Sequence, residues 1–296
     1  MTGPSWVVFG NLIIDDLRLP DGTSEAGHLG GSGTYAALGS ALTGTGAAAL
    51  VAGVGRDLSP AHRAWLDSYD IDTSALAVRG AHTPRSTVQY YADGSRTETP
   101  IWGHEHFKTM EPAVASLPPQ WTTAEGCYFF ATHGARQWPE ILAWTRHRAA
   151  ALLWEISADS CTAGQFEAVA GRLADVDMLS INLDEARALC AQIEPYACAE
   201  RLRATGVAVL ALHMGADGAL VADADGIIAA PAAPLPEVVD PTGAGNCYSG
   251  AFLASYRRSG DLGHAAATAA NAAATVLGGF GVPPPGRIDP RHPPTA

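Results

Sequence analysis

Positive charge is scarce in this chain. Eighteen Lys and Arg stand against 30 Asp and Glu, a formal net charge of −12. Such a surface repels phosphate backbones and argues against nucleic acid as a main partner. An anionic ligand must then be held by local backbone N–H groups, a helix N-terminus or a metal. Charge of either sign is sparse, at 16% of residues against 47% hydrophobic, which is enough apolar material for a sizeable core. The five cysteines (Cys127, Cys161, Cys190, Cys198, Cys247) are odd in number and form no C-x-x-C. Reduced thiols of a cytoplasmic protein are expected, not a disulfide framework. No basic stretch followed by an apolar segment opens the chain, so no signal peptide is expected. Residues 31–55 carry no charge, but seven glycines and several Ser and Thr divide them into a helix and a strand. A membrane span is not expected there. His104 and His106 lack a third ligand at metal spacing, and Ser32 lacks a His/Asp partner for a hydrolase triad.

Length and periodicity point to one large α/β sheet with no repeat and no linker. Residues 6–10 read as a buried first strand, 34–43 as an Ala-rich helix, 47–54 as a second core strand and 60–69 as a helix. Residues 87–91 and 96–100 alternate around Ala92-Asp93-Gly94-Ser95, a hairpin signal. Strands are then predicted at 126–132, 151–156, 178–181 and 207–212, and helices at 138–148, 162–173, 185–190 and 199–205. A hairpin follows at 219–230, then helices at 245–258 and 262–277. Strands alternating with helices predict a doubly wound, mainly parallel sheet with helices on both faces. Residues 12–29 and 85–103 fall outside that alternation and read as a small β lid. Pro283 to Ala296 holds six prolines in fourteen residues, and a loosely ordered tail is expected at 289–296.

The strongest local signal is Asp240-Pro241-Thr242-Gly243-Ala244-Gly245-Asn246, leading directly into a small and apolar helix. A Gly-Ala-Gly turn at a helix start exposes backbone N–H groups at the positive end of the dipole, and its small side chains let a phosphate approach. Taken alone it could equally be an ordinary tight loop before a packed helix. In context it resembles the C-terminal signature of the ribokinase-like (PfkB) carbohydrate kinases. Gly10-Asn11 with Asp15, Gly30-Gly31, Val54-Gly55-Arg56-Asp57, Asn182-Leu183-Asp184-Glu185, Met214-Gly215-Ala216-Asp217-Gly218 and Asn271-Ala272-Ala273-Ala274 match further family motifs in order. The resemblance runs from about residue 6 to 288, and implies one kinase domain over 1–288 with lid segments at about 12–29 and 85–103.

By that resemblance Gly243, Ala244 and Gly245 form the anion hole, and Asn246 stands at the catalytic base. Asn182, Glu185, His213, Gly215, Gly218 and Asn271 flank ATP, with Glu185 placing Mg²⁺ through water. Asn11, Asp15, Gly30 and Gly31 hold a small hydroxylated substrate, while Asp240 and Thr242 bind a monovalent cation such as K⁺. A homodimer through the lid is a further implication. Read from residues alone, Asp15 and Asp16 could be a turn or cap pair, Asn182 a strand terminator and Glu185 a helix-start carboxylate.

Two positions depart from the pattern. Asn246 replaces the family's Asp, and an amide cannot accept a proton at neutral pH. His213 stands near the usual Thr or Lys beside the phosphates. The Gly-Ala-Gly-Asn ending, with Trp154-Glu155 and Ser160-Cys161, is similar to a sub-branch that includes fungal proteins linked to maintenance of a viral double-stranded RNA; it implies no substrate. Asn246 can be a natural substitution, an engineered change that traps a complex, or the mark of a silent pseudokinase. The leading expectation is ATP- and Mg²⁺-dependent phosphorylation of a sugar, nucleoside or polyol hydroxyl, weakened by Asn246. The alternative is a non-catalytic nucleotide- or sugar-binding regulator.

Overall fold

A computed structural model describes residues 3–92, 96–235 and 237–284. The first part of the chain forms β1 (Trp6–Phe9), β2 (Ile13–Arg18), β3 (Ser24–Gly30), α1 (Ser32–Leu42), β4 (Ala48–Gly55), α2 (Pro60–Ser68), β5 (Leu76–Gly80), β6 (Arg85–Tyr90), β7 (Arg96–Pro100) and α3 (Gly103–Thr109). The second part forms β8 (Gly126–Ala131), α4 (Trp138–Arg148), β9 (Ala151–Ile156), α5 (Phe166–Leu173), β10 (Met178–Asn182), α6 (Leu183–Cys190), α7 (Pro195–Arg203), β11 (Val209–His213), β12 (Ala219–Ala222), β13 (Ile227–Ala230), α8 (Ala244–Ser259) and α9 (Leu262–Leu277).

Nine strands make the main sheet, in the order β13-β12-β11-β10-β9-β8-β1-β4-β5. The strands from β11 to β5 pair in parallel; β12 and β13 are antiparallel. Parallel strands covered on both faces read as continuous apolar runs, and all eight residues of β4 are buried. Alternation then sorts the faces. Trp6 and Val8 pack with α1, α8 and α9, whereas Val7 and Phe9 pack with α4, α5, α6 and α7. This is the doubly wound sheet that the periodicity predicts. Chain order reverses at β1, with β4 and β5 on one side and β8 to β11 on the other. Open α/β sheets bind ligands in the crevice outside the strand ends at such a switch.

The segments expected as a lid form a separate sheet, β3-β2-β6-β7. The hairpin turn lies outside the described residues at 93–95, as does the tail at 289–296. Two elements carried no sequence signal. β5 is a half-exposed strand at the sheet edge, and α3 buries none of its residues, so neither shows an apolar stripe. The predicted helix at 162–173 starts late, as α5 after a 3₁₀ turn at Ala163–Gln165. α7 starts early, because Pro195 takes its first position. Strand β11 runs one residue beyond its predicted end, to His213. All five cysteines are buried and unpaired. Among the described residues no helix is long and apolar enough to cross a membrane.

Helices α1 and α8 fix the site between them. A β-carbon on Gly39 would collide with the Cys247 carbonyl, and one on Gly250 with the Ala36 carbonyl. Ser40 Oγ, donating to the Gly250 carbonyl at 3.0 Å, closes the same contact. This close approach holds the N-termini of both helices at the carboxyl ends of the strands.

Candidate active site

The pleat aims a polar row at the first turn of α8. Tyr128, Leu153, Met178 and Ala211 face the α8 side of the sheet. Residues two further along each strand share that face: Phe130, Glu155, Ser180 and His213. The register pairs Phe130 with Glu155 and Asn182 with His213. Glu155, Asn182 and His213 line a cavity of about 1040 Å³ together with Gly215, Gly218 and the turn Gly243–Asn246.

Gly243 caps α8 with φ +78°, a left-handed conformation, and the Tyr35 ring fills the place of any side chain there. No side chain caps this helix. The amides of Gly245 and Asn246 lie in the first turn, beyond reach of any helical carbonyl, so they face the cavity at the positive end of the dipole. The His213 ring abuts Gly245: a β-carbon added there would sit 2.8 Å from its Cε1. On the opposite wall Gly215 and Gly218 both have positive φ, and the turn closes through Met214 N–H to the Gly218 carbonyl at 2.7 Å.

Asn182 and Glu185 form a capping box at α6. Glu185 N–H donates to Asn182 Oδ1 at 2.9 Å, and Asn182 N–H to Glu185 Oε2 at 3.1 Å. Burial pushes the Glu185 carboxyl up to about 7, and the charge of Glu155 adds to it. A carboxylate so placed gains from a nearby cation, so the residues present fit the expected Mg²⁺. Among the described residues no group of three His, Cys, Asp or Glu side chains is arranged to hold a metal. Water and phosphate oxygens would complete its shell.

Under the second sheet, Asp15 is buried, and burial with the charges of Glu98 and Asp240 raises its carboxyl to about 8. Asp16 beside it is the reverse case. A two-pronged contact from Arg85 (2.8 and 2.7 Å) holds it below the usual carboxylate range despite some desolvation. Gly30 packs directly on the Asp15 carboxylate. Gly31, at φ +93°, leaves no room for a β-carbon beside the Asn11 carbonyl. Asn11 also borders a second cavity of about 620 Å³, with Phe130 on the walls of both.

Three expectations are corrected. Asn271 is exposed on α9 and off the cavity wall; Ala266, Ala270, Ala273 and Leu277 present the helix face that lines it. The side chain of Asn246 is not unpartnered: its Nδ2 donates to the buried Tyr128 hydroxyl at 2.9 Å, which ties it to β8 while the residue still borders the cavity. Asp240 and Thr242 do not fit a monovalent cation. Asp240 Oδ1 accepts from Tyr90 Oη and Thr242 N–H, both at 2.8 Å. Arg96 Nη1 donates to Thr242 Oγ1 at 2.6 Å and lies 3.9 Å from Asp240, so a guanidinium already occupies that corner. Sequence reasoning gave no site role to Tyr128, Tyr90, Arg96 or Glu155. Only Glu155 carried a signal, as a carboxylate within an otherwise apolar strand.

Comparison with known proteins finds the same fold in solved structures. The chain is similar in structure to the adenosine kinase of Sinorhizobium meliloti, with TM-score 0.78, 19% identity and 96% of each chain covered. It is also similar to the aminoimidazole riboside kinase of Salmonella enterica complexed with aminoimidazole riboside and an ATP analog, with TM-score 0.72, 20% identity and 93% and 94% coverage. A third is the fructokinase of Vibrio cholerae O395 bound to fructose, ADP and calcium, with TM-score 0.74, 18% identity and 94% of each chain. No curated protein matches the chain. At these identities the likeness shows the fold. The profile of the pfkB family carbohydrate kinases, however, matches residues 7–285, nearly the whole chain, and the protein belongs to that family.

Proposed function

We propose that this protein transfers the γ-phosphoryl group of ATP to a hydroxyl of a small sugar, nucleoside or related polyol. The observation that carries the reading is the open first turn of α8. Its free amides face, past two glycines, a cavity of about 1040 Å³ shared with Glu185 and the Gly215–Gly218 turn. The triphosphate would enter there, with its terminal phosphate on Gly243, Ala244 and Gly245 and its base toward the alanine face of α9. Asn182 and Glu185 would hold Mg²⁺ through water, and the ion would neutralise phosphate charge. Asn11, Asp15, Gly30 and Gly31 would orient the acceptor beneath the second sheet, whose cover excludes water. Tyr91, Ile101 and Trp102 are exposed on or beside that sheet, and a homodimer through it is part of this reading.

Phosphoryl transfer has a loose transition state, so positioning and the anion cradle supply much of the catalysis. Position 246 supplies no base, which typically costs about 10²- to 10⁴-fold. Slow transfer is therefore expected, and Asn246→Asp should raise the single-turnover rate by about 10²-fold. ATP–Mg²⁺ should raise the melting temperature of both forms. No heat of binding and no thermal shift at saturating ATP would end the reading. The contact between Asn246 and Tyr128 favours a second one, a regulator that binds nucleotide or sugar without turnover. In that case both forms bind ATP and neither transfers.

A further inference from the structure

We propose that Tyr128 is a positioning residue: it holds the Asn246 amide so that the carbonyl oxygen, Oδ1, stays open to the hydroxyl of the acceptor. The identity of that hydroxyl rests on the kinase reading above. Tyr128 is fully buried on β8. Among the described residues its hydroxyl is the one hydrogen-bond partner of the Asn246 side chain, accepting from Nδ2 at 2.9 Å. The bond fixes the amide plane. Oδ1 then keeps both lone pairs, in a half-buried residue that borders the large cavity.

The neighbouring strand sets the direction of that bond. The register pairs Tyr128 with Leu153 and Phe130 with Glu155, so Glu155 lies diagonally across from Tyr128 on the same face. Its Oε2 is buried with no hydrogen-bond partner among the described residues. Burial, and then the charge of Glu155, pushes the Tyr128 hydroxyl well above its usual value, so it remains a neutral phenol. The carboxylate draws the phenol proton to its side, and the phenol oxygen offers its lone pairs to Nδ2. The reverse orientation would turn Nδ2 to the cavity and give an incoming hydroxyl no oxygen to bind. The acceptor site adjoins this wall. Phe130, next to Tyr128 on the same face, borders both cavities, and Asn11 lines the second. The Tyr35 ring fills the place of a side chain at Gly243 and lies 3.7 Å from that of Gly30, the glycine that backs Asp15. An acceptor held by Asn11 and Asp15 thus meets the anion cradle beside Asn246. Its hydroxyl donates to Oδ1, which turns an oxygen lone pair toward the γ-phosphorus. That oxygen bonds to phosphorus. The bond to the bridging oxygen breaks, and its electron pair leaves with the nucleoside diphosphate. The proton leaves on an oxygen of the transferred phosphoryl group, because the amide orients it and cannot take it.

The test is a double-mutant cycle in single-turnover assays with ATP–Mg²⁺ and adenosine, fructose, ribose or water as acceptor. Tyr128→Phe removes one oxygen and keeps the ring. It should lower the rate of transfer by about tenfold, the loss of one hydrogen bond, with ATP–Mg²⁺ affinity by calorimetry unchanged. Asn246→Ala removes Oδ1 itself. It should lose at least as much, and serves if Tyr128→Phe folds poorly. In the Asn246→Ala background the phenol has no amide to hold, so the loss from Tyr128→Phe should shrink to about twofold or less. A role in packing alone would give the same loss in both backgrounds. Equal losses, an undiminished rate in Tyr128→Phe, or a loss confined to ATP affinity overturn the proposal. Transfer by Asn246→Asp but none by the native protein overturns it too and leaves the kinase reading standing. ATP binding without transfer in either form removes that reading and this inference together.

Discussion

The first turns of α1 and α8 look alike in sequence. Each follows glycines and each enters a helix of small residues. In α1 the turn is closed by the protein itself. Gly33 N–H donates to the Asn11 carbonyl at 2.9 Å, and Asn11 N–H donates to Ser32 Oγ at 3.2 Å. A β-carbon on Gly31 would overlap the Asn11 carbonyl, and one on Gly33 the backbone of Gly10. In α8 the neighbouring space is a cavity, and among the described residues no hydrogen bond engages the amides of Gly245 and Asn246. Glycine serves chain approach in the first case and ligand approach in the second. What the amides meet, not the motif, separates the two.

The same substitution at the two turns should therefore fail in different ways. Gly31→Val forces a branched residue to φ +93° against backbone, a cost of about 3–5 kcal/mol from strain and overlap combined. Its melting temperature should fall by roughly 10 °C or more. Gly245→Val adds a β-carbon whose nearest atoms belong to the His213 side chain and not to backbone. Its melting temperature should stay within a few degrees of the native value while the ATP–Mg²⁺ shift disappears. Thermal scans with and without ATP–Mg²⁺ give both readings. If Gly245→Val keeps its nucleotide shift, the two turns are not functionally distinct.

The closed turn was more legible in sequence than the open one's surroundings. Gly30-Gly31 and Gly243–Gly245 both stand out, because each needs glycine for local backbone reasons. Strand periodicity also gave the parallel sheet, since strands buried on both faces must be apolar. The chemistry around the open turn depends on side chains from different strands, and sequence separation hides it. His213 ends β11, Glu155 lies in β9, and Tyr128 lies in β8; only the register brings them under α8. Arg96 is hidden further, because its contact joins β7 of the second sheet to Thr242 in the turn before α8. Asn271 misled for the opposite reason. Its motif is local, but a helix turns each residue by about 100°, and the face toward the cavity belongs to its alanine neighbours.

A second pair of neighbours sharpens the contrast through pH. Asp15 and Asp16 are adjacent, yet burial raises the first to about 8, and the Arg85 contact lowers the second. For Asp15 the folded value stands above the unfolded value of 3.8, so the folded state keeps a proton that the unfolded chain releases. Its stabilising contribution is full below about 3.8 and is lost as pH rises through about 8. Asp16 contributes with the opposite sign: present above its unfolded value and lost as pH falls. Denaturant titrations of Asp15→Asn should therefore lose part of the decline in stability that the native protein shows from about pH 4 to 8. Glu185 contributes a parallel decline, so the comparison is between the two proteins at each pH and not between pH values alone. An unchanged profile would mean that Asp15 is ionised in the folded state and that its cover is wetter than its burial indicates.

The smallest effect expected lies at the corner where the second sheet meets the turn before α8. Asp240 would offer a buried negative charge to a monovalent cation, but Arg96 brings its own positive charge from β7, 3.9 Å from the carboxylate and hydrogen-bonded to Thr242. Tyr90 donates to the same Asp240 oxygen, so the corner is neutralised by the second sheet itself. Replacing K⁺ by choline should then leave the ATP–Mg²⁺ thermal shift of the native protein unchanged. Arg96→Ala removes the fixed charge and empties its place. Without K⁺ this variant should bind ATP–Mg²⁺ about tenfold more weakly, the typical effect of losing one hydrogen bond to a charged group. Added K⁺ should recover part of that loss, because the freed Asp240 and Thr242 oxygens suit a weakly hydrated cation. Calorimetry in K⁺ and choline buffers measures all four values. Strong K⁺ activation of the native protein would show that the guanidinium leaves this corner when nucleotide binds. An Arg96→Ala variant indifferent to K⁺ would show that the corner holds no cation in either form.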